Sequence, residues 1–183
     1  YQAQSIRKKG EQNWQDVSWG NIDPARSYKY TLKGDSKKSI ALFFYDGAIS
    51  KSVAFDELLK DGNRFIKRLK EGVSETRNYP QLVNIATDGE SYGHHTKFGD
   101  MALSYVLKIK AEDEGFKITN YAEYLDKYES DYEVDIKQAS SWSCFHGVGR
   151  WKEDCGCSTG GHPGWNQKWR EPLRNALDYL RDE

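Results

Sequence analysis

Apolar residues in the middle of the chain form short continuous runs, and each run is followed by a segment in which they recur at helical spacing. A continuous run bounded by turn residues predicts a strand buried on both faces, whereas recurrence every three or four residues predicts an amphipathic helix. The pattern therefore predicts three β-α units within residues 39–130. Their strands and helices are, in chain order, 40–45 and 53–71, 82–86 and 98–110, and 116–120 and 121–128.

Acidic side chains follow the first two of these strands. Strands that alternate with helices are typical of parallel β-α units, whose working groups lie at the carboxyl ends of the strands. Asp46 follows the first run, and Asp88 and Glu90 follow the second. We therefore expect these three carboxylates to lie at the functional edge of the sheet.

The two flanks of the β-α pattern lack its periodicity. Residues 1–38 are polar and broken by glycine and proline, which predicts an irregular excursion with a few aromatic anchors. Residues 131–183 begin with loops rich in Trp, Cys and His and end in a helix whose leucines share one face. Because 183 residues suit one domain with a real core, we expect residues 1–183 to form a single domain.

The charge and composition of the chain narrow the choice of partner. Lys and Arg number 27 against 28 Asp and Glu, and the formal charge is −1. A field this weak would not recruit nucleic acid or an anionic membrane, so we expect neither as a partner. Aromatic residues make up 14% of the chain, and their flat faces suit the apolar sides of sugar rings, although they also serve ordinary cores.

Three features bear on processing and compartment. No apolar stretch approaches the roughly 20 residues that cross a bilayer, and no signal peptide opens the chain. The three cysteines are an odd number, which argues against a complete disulfide framework and favours a reducing compartment, so we expect a cytoplasmic location. The first residue is Tyr1 and not Met, which suggests a processed chain, an excised segment or a partial gene product.

The densest group of chemistry-bearing residues is TDGESYGHH, residues 87–95. A carboxylate at a strand end, beside a second carboxylate and facing a sugar-sized hollow, would have its proton affinity tuned as a general acid requires. We assign that role to Asp88 and take Glu90 as a support or a ligand of sugar hydroxyls. The alternative is structural, because Asp-Gly after a strand is commonly a turn, and His94 and His95 are equally consistent with surface positions.

The same segment resembles the fourth conserved region of glycoside hydrolase family 57, which has an Asp-x-Glu-x-aromatic-Gly-His pattern. Downstream, SSWSCFHGVGRW (140–151) and GHPGWNQKW (161–169) resemble the fifth region of that family, with its Ser-Trp followed by a Trp-Asn pair. FFYDGAIS (43–50) and YQAQSIR (1–7) are similar to segments between its nucleophile and its acid. The resemblance spans nearly the whole chain and is closest to large bacterial members with an associated domain of unknown function.

This resemblance implies a retaining glycosidase or glucanotransferase that acts on α-glucan, an oligo- or polysaccharide. It implies a distorted seven-stranded β/α barrel, of which the chain forms a part, and a reaction that needs no cofactor or metal. The catalytic acid/base is Asp88. The candidate substrate-binding residues are Glu90, His94, Trp142, Trp165 and Asp46.

The resemblance also implies a partner for this chain. The nucleophile of the family is a Glu from an earlier region, and the resemblance assigns no residue of this chain to that role. We therefore expect the chain to be inactive by itself, as part of a catalytic domain. We expect its partner to be the remainder of the parent domain or a second copy of the chain, which would pair with or cover the open barrel edge.

A separate candidate site consists of Cys144, His146, Cys155 and Cys157. Three thiolates and an imidazole are a common structural zinc set, although Cys-x-Cys is not the spacing of a standard finger. A disulfide from Cys144 to Cys155 or Cys157, and three unremarkable reduced cysteines, are the alternatives. Four protein ligands would leave no open position on the metal, so a zinc ion here would hold a loop and not act in catalysis.

Two other functions compete with the glycosidase interpretation. One is a non-catalytic carbohydrate-binding or zinc-stapled interaction module, in which Asp88 and Glu90 only hydrogen-bond sugar hydroxyls. The other is metal-dependent hydrolysis with Asp88, His94 and His95 as ligands. We rank it last, because neighbouring residues of a strand point to opposite faces.

Overall fold

The computed structural model describes residues 2–141, 143–157 and 162–183. Its centre is a five-stranded sheet in the order β2-β1-β5-β3-β4. The predicted α/β class is confirmed, but β2 and β4 are edge strands, so the described residues form an open sheet and not a closed barrel. The strands are β1 (Ala3–Lys8), β2 (Gln15–Asp16), β3 (Ser27–Thr31), β4 (Ser39–Phe43) and β5 (Tyr132–Ile136).

The directions of the strands differ from the prediction. β1 pairs antiparallel with β2 and β5, and β3 pairs antiparallel with β4. β3 and β5 are parallel, with Tyr28 opposite Tyr132 and Lys29 opposite Glu133. The prediction of parallel β-α units is therefore wrong for most of this sheet, because its central strands come from the two flanks and not from consecutive units.

Residues 1–38, predicted to be irregular, contain β1, β2 and β3. In β1 the side chains of Ala3 and Ile6 are buried, although a strictly alternating strand would turn them to opposite faces. The register of β1 against β5 shifts between Ala3 and Ser5, and such a bulge interrupts the alternation. This interruption and the short strand lengths explain why the polar and apolar pattern did not reveal the strands.

Of the three predicted strands, the first is confirmed as β4, and the other two are not strands of the sheet. In segment 82–86 the N–H of Leu82 donates to the carbonyl of Ala25 at 2.9 Å, and the carbonyl of Asn84 accepts the N–H of Asp46 at 2.6 Å. These isolated bonds do not build a ladder. β4 lies at an edge with partly exposed side chains, so the prediction that it is buried on both faces is wrong.

The predicted helical segments are helical with local breaks. The predicted helix 53–71 is two helices, because Glu57 adopts a left-handed conformation (φ 55°) and Asp61 begins a new helix as its N-cap. No helix within the described ranges is long and apolar enough to cross a membrane. The helices are α1 (Gly47–Phe55), α2 (Gly62–Lys70), α3 (Gly99–Tyr105), α4 (Ala111–Asp113), α5 (Tyr121–Lys127), α6 (Gly149–Lys152) and α7 (Arg170–Asp182), with a π-helical turn Val106–Lys110 between α3 and α4.

Two apolar clusters form the core. One packs on the sheet, and the other joins α1, α2 and the π-helical turn. Ile85 and Tyr92 pack against the second cluster, so the chain on both sides of Asp88 is held against the helices. The buried residues of the sheet cluster are Ala3, Ile6, Val17, Ile22, Tyr28 and Val134, and those of the helical cluster are Val53, Leu58, Leu59, Phe65, Ile66 and Val106.

Candidate functional site

The segment that leads to Asp88 is held against the beginning of α1. The carbonyl of Asn84 accepts the N–H of Asp46, and the N–H of Ala86 donates to the hydroxyl of Ser50 at 3.1 Å. Ser50 is itself buried. Segment 82–86 therefore ends beside the end of β4 and the first turn of α1. Asp88 follows this segment in the chain.

Asp88 begins a turn of 3-10 helix, Gly89–Tyr92. Its carbonyl accepts the N–H of Ser91 at 3.1 Å, and the hydroxyls of Thr87 and Tyr92 bond across the turn at 2.9 Å. The carboxylate of Asp88 caps no N–H of this turn and is exposed to solvent. The described residues leave it accessible and do not enclose it, so its placement in a sugar-sized hollow stays a prediction.

Glu90, His94 and His95 lie together on the surface beside this turn. The N–H groups of His94 and His95 both donate to the carbonyl of Glu90, at 3.0 and 2.9 Å. The Nε2 atom of His95 is 3.3 Å from a carboxylate oxygen of Glu90, and the two imidazole rings are in edge contact at 4.9 Å. These polar groups are exposed and therefore accessible to a ligand.

A cavity of about 670 Å³ lies on the helical side of the same segment. Its walls are largely apolar, and Asp88 is not one of the residues that line it. Its lining also includes charged side chains, among them Lys70, Glu114 and Lys117, but none of the residues predicted to bind substrate. Lining residues include Phe65, Leu82, Ile85, Tyr92, Val106 and Phe116.

Asp46 has a structural role that the sequence analysis missed. Its carboxylate accepts the N–H of Ile49 at 2.9 Å, which makes it the N-cap of α1. The signal was present, since Asp-Gly stands directly before a helical segment. Its role as a substrate ligand stays a prediction.

The two candidate tryptophans cannot be treated alike. The side chain of Trp165 is 72% exposed, and its ring meets that of His162 edge-on at 4.9 Å. Trp142 lies outside the described residues. Trp165 thus has the exposure that stacking against a sugar ring requires.

Asn84 is a buried polar residue that the sequence analysis did not select. Its side chain is 6% exposed, and its carbonyl oxygen accepts the hydroxyl hydrogen bond of Tyr121. The ring of Tyr121 stacks on Phe43 at a centroid distance of 4.4 Å. An amide inside the apolar run LVNIA was the available signal, because a buried amide requires partners.

The second candidate site is brought together as predicted. One ligand atom from each of Cys144, His146, Cys155 and Cys157 lies within 4.8 Å of all the others. Cys144 is buried, and the three cysteines are free thiols, so neither proposed disulfide is present in the structure. The cluster could hold a structural metal such as zinc.

The thiols of this cluster differ in acidity. Hydrogen bonds with the thiols of Cys144 and Cys155 raise the pKa of Cys157 to about 11. A hydrogen bond from the backbone of Cys157 lowers the pKa of Cys155, and the nearby Arg170 guanidinium acts in the same direction. The thiol of Cys155 therefore loses its proton more easily than the thiol of Cys157.

Comparison with known families decides the classification. The family model described as glycosyl hydrolase family 57 matches residues 12–137, and a domain of unknown function, DUF3536, matches residues 165–183. The first match covers more than half of the chain. The chain belongs to glycosyl hydrolase family 57. Comparison with curated proteins and with solved structures gave no match.

Membership of family 57 confirms the predicted family and implies a glycosidase or transglycosylase that acts on α-glucan, hence a carbohydrate substrate. The family 57 match contains Asp46, Asp88, Glu90 and His94. Trp165 begins the DUF3536 match. The cysteine and histidine cluster lies between the two matched segments and belongs to neither.

Proposed function

We propose that this chain supplies the general acid/base, Asp88, and part of the substrate-binding surface of a retaining glycosidase or glucanotransferase acting on α-glucan. The observation that carries the proposal is the family 57 match over residues 12–137, which includes Asp88 within its Asp-x-Glu-x-aromatic-Gly-His segment. The exposure of the Asp88 carboxylate is consistent with access by a polysaccharide.

The backbone around Asp88 supports a positioned acid. Bonds from Asn84 and Ala86 tie the preceding residues to the end of β4 and to α1, and the turn Gly89–Tyr92 closes directly after Asp88. A catalytic group acts efficiently only when its position relative to the substrate is fixed. Glu90 lies in this turn and His94 follows it, and we propose that both bind sugar hydroxyls next to the bond that breaks.

In the proposed reaction Asp88 donates its proton to the departing glycosidic oxygen while a carboxylate nucleophile attacks the anomeric carbon. Asp88 then removes a proton from the incoming water or sugar hydroxyl, which releases the glycosyl group from the nucleophile. Family resemblance assigns the nucleophile to no residue of this chain, so we propose that a Glu of the parent protein outside these 183 residues provides it, in the same molecule or in a partner copy of the parent protein. No metal takes part.

Replacement of Asp88 by Asn in the parent protein tests the acid role with two substrates. Turnover of α-glucan should fall by about 10²–10⁴-fold, because its leaving oxygen needs a proton. Formation of the glycosyl-enzyme from a nitrophenyl α-glucoside should change far less, because nitrophenolate is a good leaving group that departs without receiving a proton. Asp100→Asn is the matched control, since Asp100 is also exposed but lies in the first turn of α3.

Two results would overturn parts of this proposal. If Asp88→Asn leaves turnover unchanged and weakens glucan binding alone, the chain is a carbohydrate-binding module, a function that the open position of Asp88 and Glu90 also favours. If the 183-residue chain alone hydrolyses α-glucan at a rate comparable with the parent protein, the nucleophile lies within these residues.

A further inference from the structure

Four distances within the cysteine and histidine cluster are close to those around one tetrahedral ion. Zn–S bonds of about 2.3 Å and Zn–N bonds of about 2.0–2.1 Å place two sulfurs about 3.8 Å apart and a sulfur about 3.6 Å from a nitrogen. In the structure Cys144 Sγ is 3.4 and 3.9 Å from the sulfurs of Cys157 and Cys155. The Nδ1 atom of His146 is 3.6 and 3.4 Å from the sulfurs of Cys144 and Cys157.

The local backbone turns these four side chains toward one point. Gly156, between Cys155 and Cys157, has a φ of 79°, a left-handed conformation that glycine adopts without strain. Gly147, next to His146, has a φ of 61°, and its N–H donates to the carbonyl of Cys144 at 3.0 Å. These two turns let residues that are close in sequence present their ligand atoms to a common centre.

A disulfide accounts for less of this arrangement than a metal does. Cys144 lies almost equally near two sulfurs, and a bond to either would leave the other thiol and the imidazole without a role. Both separations are far longer than the disulfide bond length of about 2.0 Å. Three thiols and one imidazole around a common centre are instead a complete structural ligand set.

Two residues that precede or begin α7 reach the same cluster. The amide of Gln167, which is 9% exposed, donates to the carbonyl of Cys157, and the N–H of Gln167 donates to Asp154 at 3.2 Å. Arg170 Nη1 is 3.8 Å from the sulfur of Cys155. A Zn²⁺ ion with three thiolates and one neutral imidazole has a net charge of −1, which a guanidinium at this distance would offset.

We propose that Cys144, His146, Cys155 and Cys157 bind one Zn²⁺ ion that closes the loop 144–157 and, through Gln167 and Arg170, fixes the beginning of α7. The site lies between the family 57 match and the DUF3536 match, so the ion joins these two parts of the chain. With all four positions taken by protein, its role is structural. This site is independent of the glycosidase proposal.

Metal content and spectroscopy of the full 183-residue chain, purified without chelator, test the site. We expect about one zinc per chain, and after exchange for Co²⁺ the intense visible bands of a tetrahedral ion with thiolate charge-transfer absorption. His146→Ala should weaken zinc affinity by more than the roughly 10–100-fold that loss of an outer partner costs. His162→Ala is the matched control, because His162 lies in the same region but contacts Trp165 and not the cluster.

Hydrogen exchange separates metal binding from its proposed structural effect. Removal of zinc should speed amide exchange in residues 144–157 and 167–170 and leave β1 unchanged. Substoichiometric zinc, below about a tenth of an equivalent, with no tetrahedral Co²⁺ spectrum would overturn the site. Equal losses of affinity in His146→Ala and His162→Ala would overturn the ligand assignment, and binding with unchanged exchange near α7 would overturn the link to that helix.

Discussion

Gly147 shows how a single residue shapes the loop that carries His146. A Cβ atom at this position would overlap the carbonyl oxygen of Ala139, a backbone atom that no side-chain rotation can move. The N–H of Val148 donates to the same oxygen at 3.1 Å, so the close approach is part of the loop closure. Together with its left-handed φ, this contact makes glycine the residue that fits.

Gly147→Ala should destabilise the protein through both effects. A left-handed alanine costs about 1–2 kcal/mol, and the overlap with Ala139 should add about 1–3 kcal/mol. Gly34→Ala is the control, because Gly34 has a φ of 90° but no atom lies within 4 Å of the place that a Cβ would take. Urea unfolding of the metal-free proteins measures both free energies. Equal losses would show that the contact with Ala139 carries no cost.

At the scale of single residues, the sequence predicted one cluster of side chains and missed the contacts of others. The four candidate metal ligands at 144, 146, 155 and 157 lie together, because closely spaced residues of a loop can meet without long-range pairing. The cap role of Asp46 and the bond of Asn84 with Tyr121 were missed. Both depend on a contact that residue type alone does not specify.

Asp46 links the end of β4 to the beginning of α1. Its carboxylate satisfies the N–H of Ile49, and its own N–H donates to Asn84. The cap therefore holds two elements in place, the helix and the run that leads to Asp88. This explains an acidic residue at the position without reference to substrate.

Asp46→Ala should lower the free energy of unfolding by about 0.5–2 kcal/mol, whereas Asp46→Asn should change it little, because Asn is an equally good cap. Urea unfolding measures the free energy of unfolding of both variants. The glucan KM of Asp46→Asn in the parent protein then reports on substrate binding without the loss of the cap. A destabilisation of Asp46→Asn as large as that of Asp46→Ala would contradict the cap role.

At the scale of elements, the sequence located helices more reliably than strands. Helical periodicity placed α5 and α7 correctly, since that pattern records a helix's own apolar face. Segments 82–86 and 116–120 have strand-like composition but no ladder. A strand forms only when it pairs with another strand, and its own residues do not specify which segment that is.

In the whole molecule, an ionic and aromatic cluster joins the sheet to the loop before the Asp88 segment. The guanidinium of Arg26 lies between the rings of Tyr79 and Tyr132, 3.5 and 4.5 Å from their centroids. The carboxylate of Asp23 accepts the Tyr79 hydroxyl hydrogen bond and lies 3.4 Å from Arg77. Because Tyr132 belongs to β5, these contacts tie residues 77–79 to the sheet.

Asp23→Asn should destabilise the protein by about 1.5–3 kcal/mol, the usual cost of losing hydrogen bonds to a charged group. Asp35→Asn is a matched control, because Asp23 and Asp35 each accept the N–H two residues ahead, and Asn preserves that turn in both. The pair of Asp35 with Lys38 is exposed, so its loss should stay within about 0.5 kcal/mol. Thermal or urea unfolding measures the free energy of unfolding of both variants. Similar losses would show that the contacts of Asp23 do not stabilise the protein.

The overall topology was the least predictable level. The sequence indicated α/β structure, yet β5 pairs with β1 and β3, so strands that are far apart in the sequence are neighbours. Periodicity identifies an element, whereas sheet order depends on contacts between distant residues. The parallel β-α prediction failed for this reason.

The terminal helix α7 has no buried residue, and its leucines at 173, 177 and 180 are at least half exposed. A helix of 13 residues is only marginally stable in water when none of its side chains is buried. Its backbone amides should therefore open many times during the lifetime of one folded molecule, while those of the sheet open only when the entire chain unravels. The local stability of α7 is therefore largely independent of the stability of the sheet.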